Sequence, residues 1–230
     1  NNFNITRIEA ADDENDTIRF LFISDTQRFY DETQAFVKAA NQLNGIDFVI
    51  HGGDITDFGL SKEYLWIHDI LKELKMPYVA LIGNHDMIGH GKEVYRNIYG
   101  DYNFSFTFRK TRFICINTNA LEGIEDTPIP DLDFMSRFIS DTTGIENNIV
   151  VMHSPPNDIQ FNGESVIGFK RILESYKNPL FCLHGHIHHF AVNEYLNNGI
   201  KFYGCDDMSG RNYILFTIVG NKYTSSLVYF

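Results

Sequence analysis

Residues 48–59 read Phe-Val-Ile-His-Gly-Gly-Asp-Ile-Thr-Asp-Phe-Gly, and their pivot is Asp54. A short apolar run ends in two glycines and an acid, the pattern of a buried strand that delivers one carboxylate to the loop at its carboxyl end. Open α/β sheets keep their chemistry at that edge. Alone the pattern is weak, because an Asp after a Gly-Gly turn is more often a turn residue than a ligand.

Its company changes the reading. Four other apolar runs, over residues 18–23, 78–82, 149–152 and 180–183, end in Ser24-Asp25-Thr26-Gln27, Gly83-Asn84-His85-Asp86, His153-Ser154-Pro155-Pro156 and Gly185-His186-Ile187-His188. Junctions that all end in metal-capable residues point to one shared site.

Between the first two runs, Phe36, Val37, Ala40 and Leu43 fall at helical spacing, Asp31-Glu32-Thr33-Gln34 resembles a capping box, and Gly45 stops the helix. Strand, helix, strand is a βαβ unit, so its strands are expected to be parallel. Ser61 is placed to cap a second helix whose stripe is Tyr64, Ile67, Leu71 and Leu74, and Pro77 ends it. Residues 87–100 read as irregular around one short helix. Phe104, Phe106 and Phe108 alternate with polar residues and turn at Lys110-Thr111 into 112–117, a hairpin whose phenylalanines are core rather than a platform for bases. Short helices follow over 132–139 and 169–176. Four β runs, 190–196, 200–204, 213–219 and 223–230, close the chain, with turn signals at Asn197-Asn198-Gly199 and Gly220-Asn221.

A βαβ half followed by a strand-rich half holds more strands than one covered sheet needs. Two sheets packed face to face with helices outside is the economical α/β solution. No linker or repeat interrupts residues 17–230, which read as a single domain behind a polar, flexible segment over 1–16.

The length of 230 residues suits one or at most two domains, and with 43% hydrophobic residues the composition is that of a globular protein. No apolar run is long enough to cross a membrane. The formal net charge of -11 repels phosphate backbones at long range, so a nucleic-acid partner is disfavoured; its plain consequence is solubility. Cys115 and Cys182 sit in apolar runs as small core residues, Cys205 is less defined, and no disulfide framework follows. The chain starts at Asn1 without Met and residues 1–16 lack a signal-peptide core, which reads as a processed or trimmed product. The compartment stays open between export after loss of a leader and the cytoplasm, and the oligomeric state is unread.

Asp25, Gln27, Asp54, Asn84, His153, His186 and His188 offer carboxylate oxygen, amide oxygen and imidazole nitrogen. That set suits divalent Mn, Fe, Zn or Mg, and the lack of cysteine argues against a soft-metal or Fe–S site. So many ligands exceed one tetrahedral ion, whereas two divalent ions sharing a carboxylate would use them all.

The order of these blocks resembles the calcineurin-like metallophosphoesterase superfamily from about Ile18 to about His189. The resemblance implies a four-layer α/β/β/α sandwich of two mixed sheets flanked by helices, with the metal site at the carboxyl ends of the strands. It implies that Asp54 bridges, that Asp25, position 27 and His188 complete one metal, and that Asn84, His153 and His186 complete the other. His85 resembles the non-ligand histidine that protonates the leaving oxygen, with Asp86 orienting it. The departure is Gln27, where His is commoner. A carboxamide oxygen is a weaker donor than imidazole, so the first metal is expected to be weaker and to favour Mn over Zn. Ions about 3.5–4 Å apart would activate a bridging hydroxide for in-line attack on phosphorus.

The expected substrate is a small phosphomonoester or phosphodiester, its leaving group chosen by loops over 87–100, 119–130 and 155–168. A nuclease is less favoured, for want of a basic groove. A Ser/Thr protein phosphatase is less favoured still, because Phe58 rather than Arg follows Asp57. The reading of a different class is a binding scaffold that has lost catalysis; members of that kind have typically lost ligands, and this chain keeps all but one. The plain readings are preferred for His184 (end of a strand), His189 (solvent or substrate contact), His68 (surface or packing), Asp57 (a hydrogen-bonding loop residue) and Arg28 (solvated, against a phosphate contact).

Overall fold

In the computed structural model, which describes residues 1–11, 15–122 and 128–230, the stretch before Asp54 forms β2 (Phe48–His51), buried along its whole length. It runs parallel between β1 (Thr17–Ile23) and β3 (Tyr78–Ala80). Two antiparallel strands, β10 (Asn212–Val219) and β11 (Lys222–Tyr229), complete a sheet of order β11-β10-β1-β2-β3.

The second sheet contains β4 (Phe104–Phe108), β5 (Thr111–Ile116), β6 (Asn147–Met152), β7 (Pro179–His184), β8 (Ala191–Asn193) and β9 (Lys201–Gly204), in the order β4-β5-β6-β7-β9-β8. Here β5, β6, β7 and β9 are parallel, and the edge strands β4 and β8 are antiparallel. Both sheets are therefore mixed, and all the parallel strands bring their carboxyl ends to one rim.

The layers follow from which side chains each strand turns to which face. In β1, Phe20 and Phe22 enter the core between the sheets, while Leu21 and Ile23 enter a core beneath α2 (Tyr30–Ala40), α3 (Ser61–Leu71) and α4 (Gly91–Tyr99). A strand covered on both faces reads as a continuous apolar run, which is why these strands were legible. On the far side, α5 (Leu132–Ser140) and α6 (Val166–Ser175) cover β5, β6 and β7 through Met135, Phe169 and Leu173. The result is the α/β/β/α sandwich.

The inner core is aromatic. Phe20 stacks on Phe48 and Phe216 at 5.4 and 5.1 Å, and Phe181 stacks on Phe216 at 4.7 Å. Burying each such side chain contributes about 1.5–3 kcal/mol, and close-packed rings leave the strand ends little freedom to shift. Phe104, Phe106 and Phe108 are in this core, as are Cys115 and Cys205, while Cys182 lies in the core under α5 and α6.

The N-terminus departs from the expected flexible segment. Residues Asn2–Ala10 form α1, with Ile8 buried in the inner core. Its polar side chains close the rims of both sheets. The Asn1 amide exchanges hydrogen bonds of 2.9 Å with Ala80 of edge strand β3, Asn4 Nδ2 donates to Tyr78 O at 2.7 Å, and Glu9 accepts from Thr107 N of edge strand β4 at 3.1 Å. Of the segments named from sequence, residues 12–14 and 123–127 lie outside the described residues.

Two expected caps are corrected. The helix after β1 begins at Tyr30, so Asp31 and Glu32 lie in its first turn and make no capping box. Ser61 is the first residue of α3 rather than its cap; Glu63 accepts from the N–H groups of Phe58 and Leu60 at 3.0 and 3.1 Å. The run expected as a strand over 190–196 pairs only over Ala191–Asn193.

Candidate metal centre

The loops leaving β1, β2, β3, β6 and β7 meet across the two sheets, and backbone hydrogen bonds tie them together. Asp25 N donates to Gly53 O at 3.0 Å, Gln27 N to Asp54 O at 3.1 Å, and Gly185 N to His153 O at 3.0 Å. Asp25 Oδ2 accepts from His186 N at 3.1 Å, linking the first sheet to the second. Glycines make the approach possible: a Cβ on Gly83 would lie 2.2 Å from Asp54 Oδ1, and one on Gly185 would lie 1.9 Å from Ser24 Oγ.

Asp25, Gln27, Asp54, His186 and His188 have left-handed backbone, with φ of 53°, 34°, 53°, 68° and 54°. Such conformations in residues with a Cβ cost on the order of 1 kcal/mol each and persist where surrounding contacts enforce them. The strain aims the side chains inward.

Two groups of donor atoms result, each within 4.8 Å of one another: Asp54 with His153 and His186, and Asp25 with Asp54 and His188. Asp54 belongs to both. In the first group, Asn84 Oδ1 lies 3.1 Å from His153 Nε2 and 3.0 Å from His186 Nδ1, and Asp54 Oδ1 lies 3.3 Å from His153 Nε2. In the second, His188 Nε2 is 3.1 Å from Asp25 Oδ1, and Gln27 Nε2 donates to Asp54 Oδ2 at 3.2 Å. The folding thus brings together all the ligand candidates named from sequence. At Gln27 it is the amide nitrogen that faces Asp54, so ligation requires the amide to turn its oxygen inward.

The donor set fits divalent cations on two counts. Asp25 Oδ1 is fully buried and has no hydrogen-bond donor aimed at it among the described residues, although His188 Nε2 stands close. Such an orphaned carboxylate oxygen is costly unless a cation or proton supplies the partner. Second, imidazole nitrogens and carboxylate or amide oxygens converge without thiolate, as hard and borderline ions require.

Electrostatics give the same picture. Burial would raise the Asp54 carboxyl, but the charge and hydrogen bond of His153 hold it down at about 2. Burial would lower His153, but Asp54 outweighs it and holds the imidazole up at about 10. Without an ion, a proton on His153 stands in for positive charge at this position.

His85 lies beside the ligands, its backbone N–H donating to Asp54 Oδ1 at 2.9 Å. The expectation that Asp86 orients its ring is overturned. Asp86 Oδ1 and Oδ2 are taken up by the N–H groups of Gly83, Ile55 and Thr56 and by the Thr56 hydroxyl, at 2.8–3.1 Å. Successive residues in the short helical turn His85–Met87 point apart, so Asp86 goes down into the loops and His85 outward. Burial and the nearby Asp54 charge push the Asp86 carboxyl up, and its backbone donors oppose this. His85 Nδ1 instead bonds Asp57 O at 2.8 Å, with Asp57 Oδ1 at 3.8 Å and that same oxygen paired to Arg28.

His184 is buried at the end of β7, with Nδ1 2.9 Å from Gly185 O; burial lowers it to about 4. His189 is exposed, and His68 bonds Tyr78 OH at 2.8 Å. Two acids that sequence reasoning missed also reach the cluster: Asp158 Oδ1 is 3.1 Å from His186 Nε2, and Asp207 Oδ2 is 3.5 Å from His188 Nδ1. Asp207 had a signal, since it closely follows a strand, β9, that ends at the same rim.

The sequence pattern of the calcineurin-like phosphoesterases matches residues 18–190, the span that contains the loops leaving β1, β2, β3, β6 and β7 but not the loop of Asp207. The chain belongs to the calcineurin-like phosphoesterase family. Among solved structures, it is similar to a dimetal phosphatase from Danio rerio, with 12% identity and a TM-score of 0.74 over 92% of this chain and 98% of that one. It is also similar to the purple acid phosphatase PPD1 of yellow lupin, with 11% identity and a TM-score of 0.73 over 93% of this chain and 52% of that one. At such identities the likeness is one of fold. A curated relative, named a probable cyclic nucleotide phosphodiesterase of Moraxella catarrhalis, is 23% identical over 180 residues, 69% of this chain and 64% of that protein's length. No helix among the described residues is long and apolar enough to cross a membrane.

Proposed function

We propose that this chain is a metal-dependent hydrolase of small phosphoric esters that works with two divalent ions, manganese foremost. The observation that carries the reading is the sharing of Asp54 between two groups of ligand atoms with a non-ligand histidine, His85, alongside. Asp54, Asn84, His153 and His186 would hold one ion; Asp25, Asp54 and His188, with Gln27 turned inward, would hold the other. Ions bound there supply Lewis acidity toward phosphoryl oxygens and lower the proton affinity of water.

The chain's own groups do the rest. The bond from His85 Nδ1 to Asp57 O fixes the imidazole orientation and leaves Nε2 for proton transfer, so His85 acts as the acid that protonates the departing alkoxide. The left-handed loop backbones and the buried Asp86 clamp hold the ligands in place before substrate arrives, which lowers the reorganisation needed at the reacting centre. Arg28, half of an ion pair with Asp57 and largely exposed, steadies the carboxylate next to His85.

The name of the Moraxella relative supports a phosphodiester as the first substrate to try. The test is hydrolysis of p-nitrophenyl phosphate and bis-p-nitrophenyl phosphate by metal-stripped protein reloaded with manganese. Turnover of the diester, lost with Asp54→Ala, is expected. Absence of turnover on both esters with two ions bound would contradict the reading.

A further inference from the structure

We infer that Asp158 and Asp207 are positioning residues, each fixing the tautomer of one histidine in Gly185-His186-Ile187-His188 and each serving a different ion. The inference rests on the dinuclear reading above and assigns to that site two acids that are not among its candidate ligands, one in the His153 loop and one in the loop after β9.

The two histidines face the centre through opposite nitrogens. His186 turns Nδ1 toward Asn84 Oδ1 at 3.0 Å, and His188 turns Nε2 toward Asp25 Oδ1 at 3.1 Å. Each therefore needs an acceptor on its other nitrogen, and the two acceptors must stand on different sides. Asp158, in the loop after β6, meets His186 Nε2 at 3.1 Å; Asp207, in the loop after β9, meets His188 Nδ1 at 3.5 Å. His153 obeys the same rule with a backbone acceptor, Nδ1 lying 2.9 Å from Gly52 O.

Both acids are held in place independently of the histidines. Asp158 Oδ1 also accepts from Gln160 N at 2.8 Å, and its loop is closed by Asp158 N to Pro155 O and Phe161 N to Asp158 O, at 3.0 and 3.1 Å. Phe161 anchors the loop in the core under α6. Asp207 Oδ1 accepts from Ser209 N and Oγ at 2.9 and 2.5 Å, which leaves Oδ2 for His188. The adjacent buried Met208 donates its N–H to Asp25 O at 3.2 Å, so the acid is locked to the same ligand loop it serves.

A carboxylate that accepts the second ring proton of a metal-bound histidine fixes its tautomer and raises its basicity; removing such a partner weakens metal binding about 10–100-fold. An incidental ion pair would have neither consequence. Asp207 acts at the ion that Gln27 serves poorly, so its charge offsets a neutral ligand there.

The experiment is a manganese titration of metal-stripped wild type, Asp158→Asn, Asp207→Asn and the double variant, followed by the EPR signal of free manganese. Histidine-ring 15N NMR of the metal-free proteins accompanies it. Wild type is expected to bind two ions, each single variant to lose about tenfold or more at one of them, and the double variant at both. In the NMR spectra, Asp158→Asn should shift His186 away from the Nε2–H tautomer, and Asp158→Glu should restore both tautomer and affinity. Single variants that keep wild-type affinity for both ions and unchanged tautomers would overturn the inference. A wild type that binds fewer than two ions would instead overturn the dinuclear reading on which it rests.

Discussion

His85 and Asp86 are neighbours in the chain with opposite duties. Asp86 receives four hydrogen bonds from Gly83, Ile55 and Thr56, all from the ligand loops, and none from His85. Its removal orphans buried N–H groups, so Asp86→Ala is expected to lower the unfolding free energy by about 3 kcal/mol or more, read by urea denaturation of metal-free protein. His85→Asn is expected to leave metal stoichiometry and stability near wild type and to cut kcat by about a hundredfold or more. Equal loss of stability in both variants would refute this division. The convergence of the candidate ligands was readable because their loops each follow an apolar run; the partner of His85 was not, because adjacency in sequence says nothing of which way successive side chains point in a tight helical turn. Asp158 escaped for a similar reason, standing in a loop whose return toward His186 no local pattern announces.

At the scale of elements, α1 shows what periodicity misses. Its helical stripe is thin, Ile8 being its one fully buried residue, and its tertiary role is carried by Asn1, Asn4 and Glu9, which satisfy backbone groups on edge strands. Exposed strand edges invite pairing with other chains, and polar side chains that cap them are a remedy. Removing residues 1–11 is therefore expected to lower the melting temperature and to promote concentration-dependent association, followed by light scattering. A truncated protein as monomeric and as stable as the full chain would contradict the edge-capping role. The parallel strands, by contrast, were plain in the sequence because both their faces are covered. The short β8 was overread, since residues 190–196 are apolar and aromatic enough for a strand but pair only over three.

For the whole molecule, the buried histidines set the pH dependence of metal-free stability. His51 Nδ1 accepts from Gly53 N at 3.2 Å and its Nε2 lies 2.9 Å from Thr26 Oγ1, so the ring is held neutral; burial lowers it from 6.5 to about 4, as it does His184. In the unfolded chain these rings bind protons first, so stability is present above 6.5 and lost as pH falls toward 4, on the order of 3 kcal/mol for each. His153, held up at about 10 by Asp54, acts oppositely: its contribution is complete below 6.5 and is lost as pH rises through 10. Urea midpoints of the metal-free protein should therefore peak near pH 6.5, between the two losses, and a monotonic profile would contradict the assignment. The most direct test of the central claim, that two ions share Asp54, is an anomalous difference map from crystals of the manganese-loaded protein. The account predicts two peaks flanking Asp54, one beside Asn84, His153 and His186 and the other beside Asp25 and His188; a single peak, or none at Asp54, would contradict it.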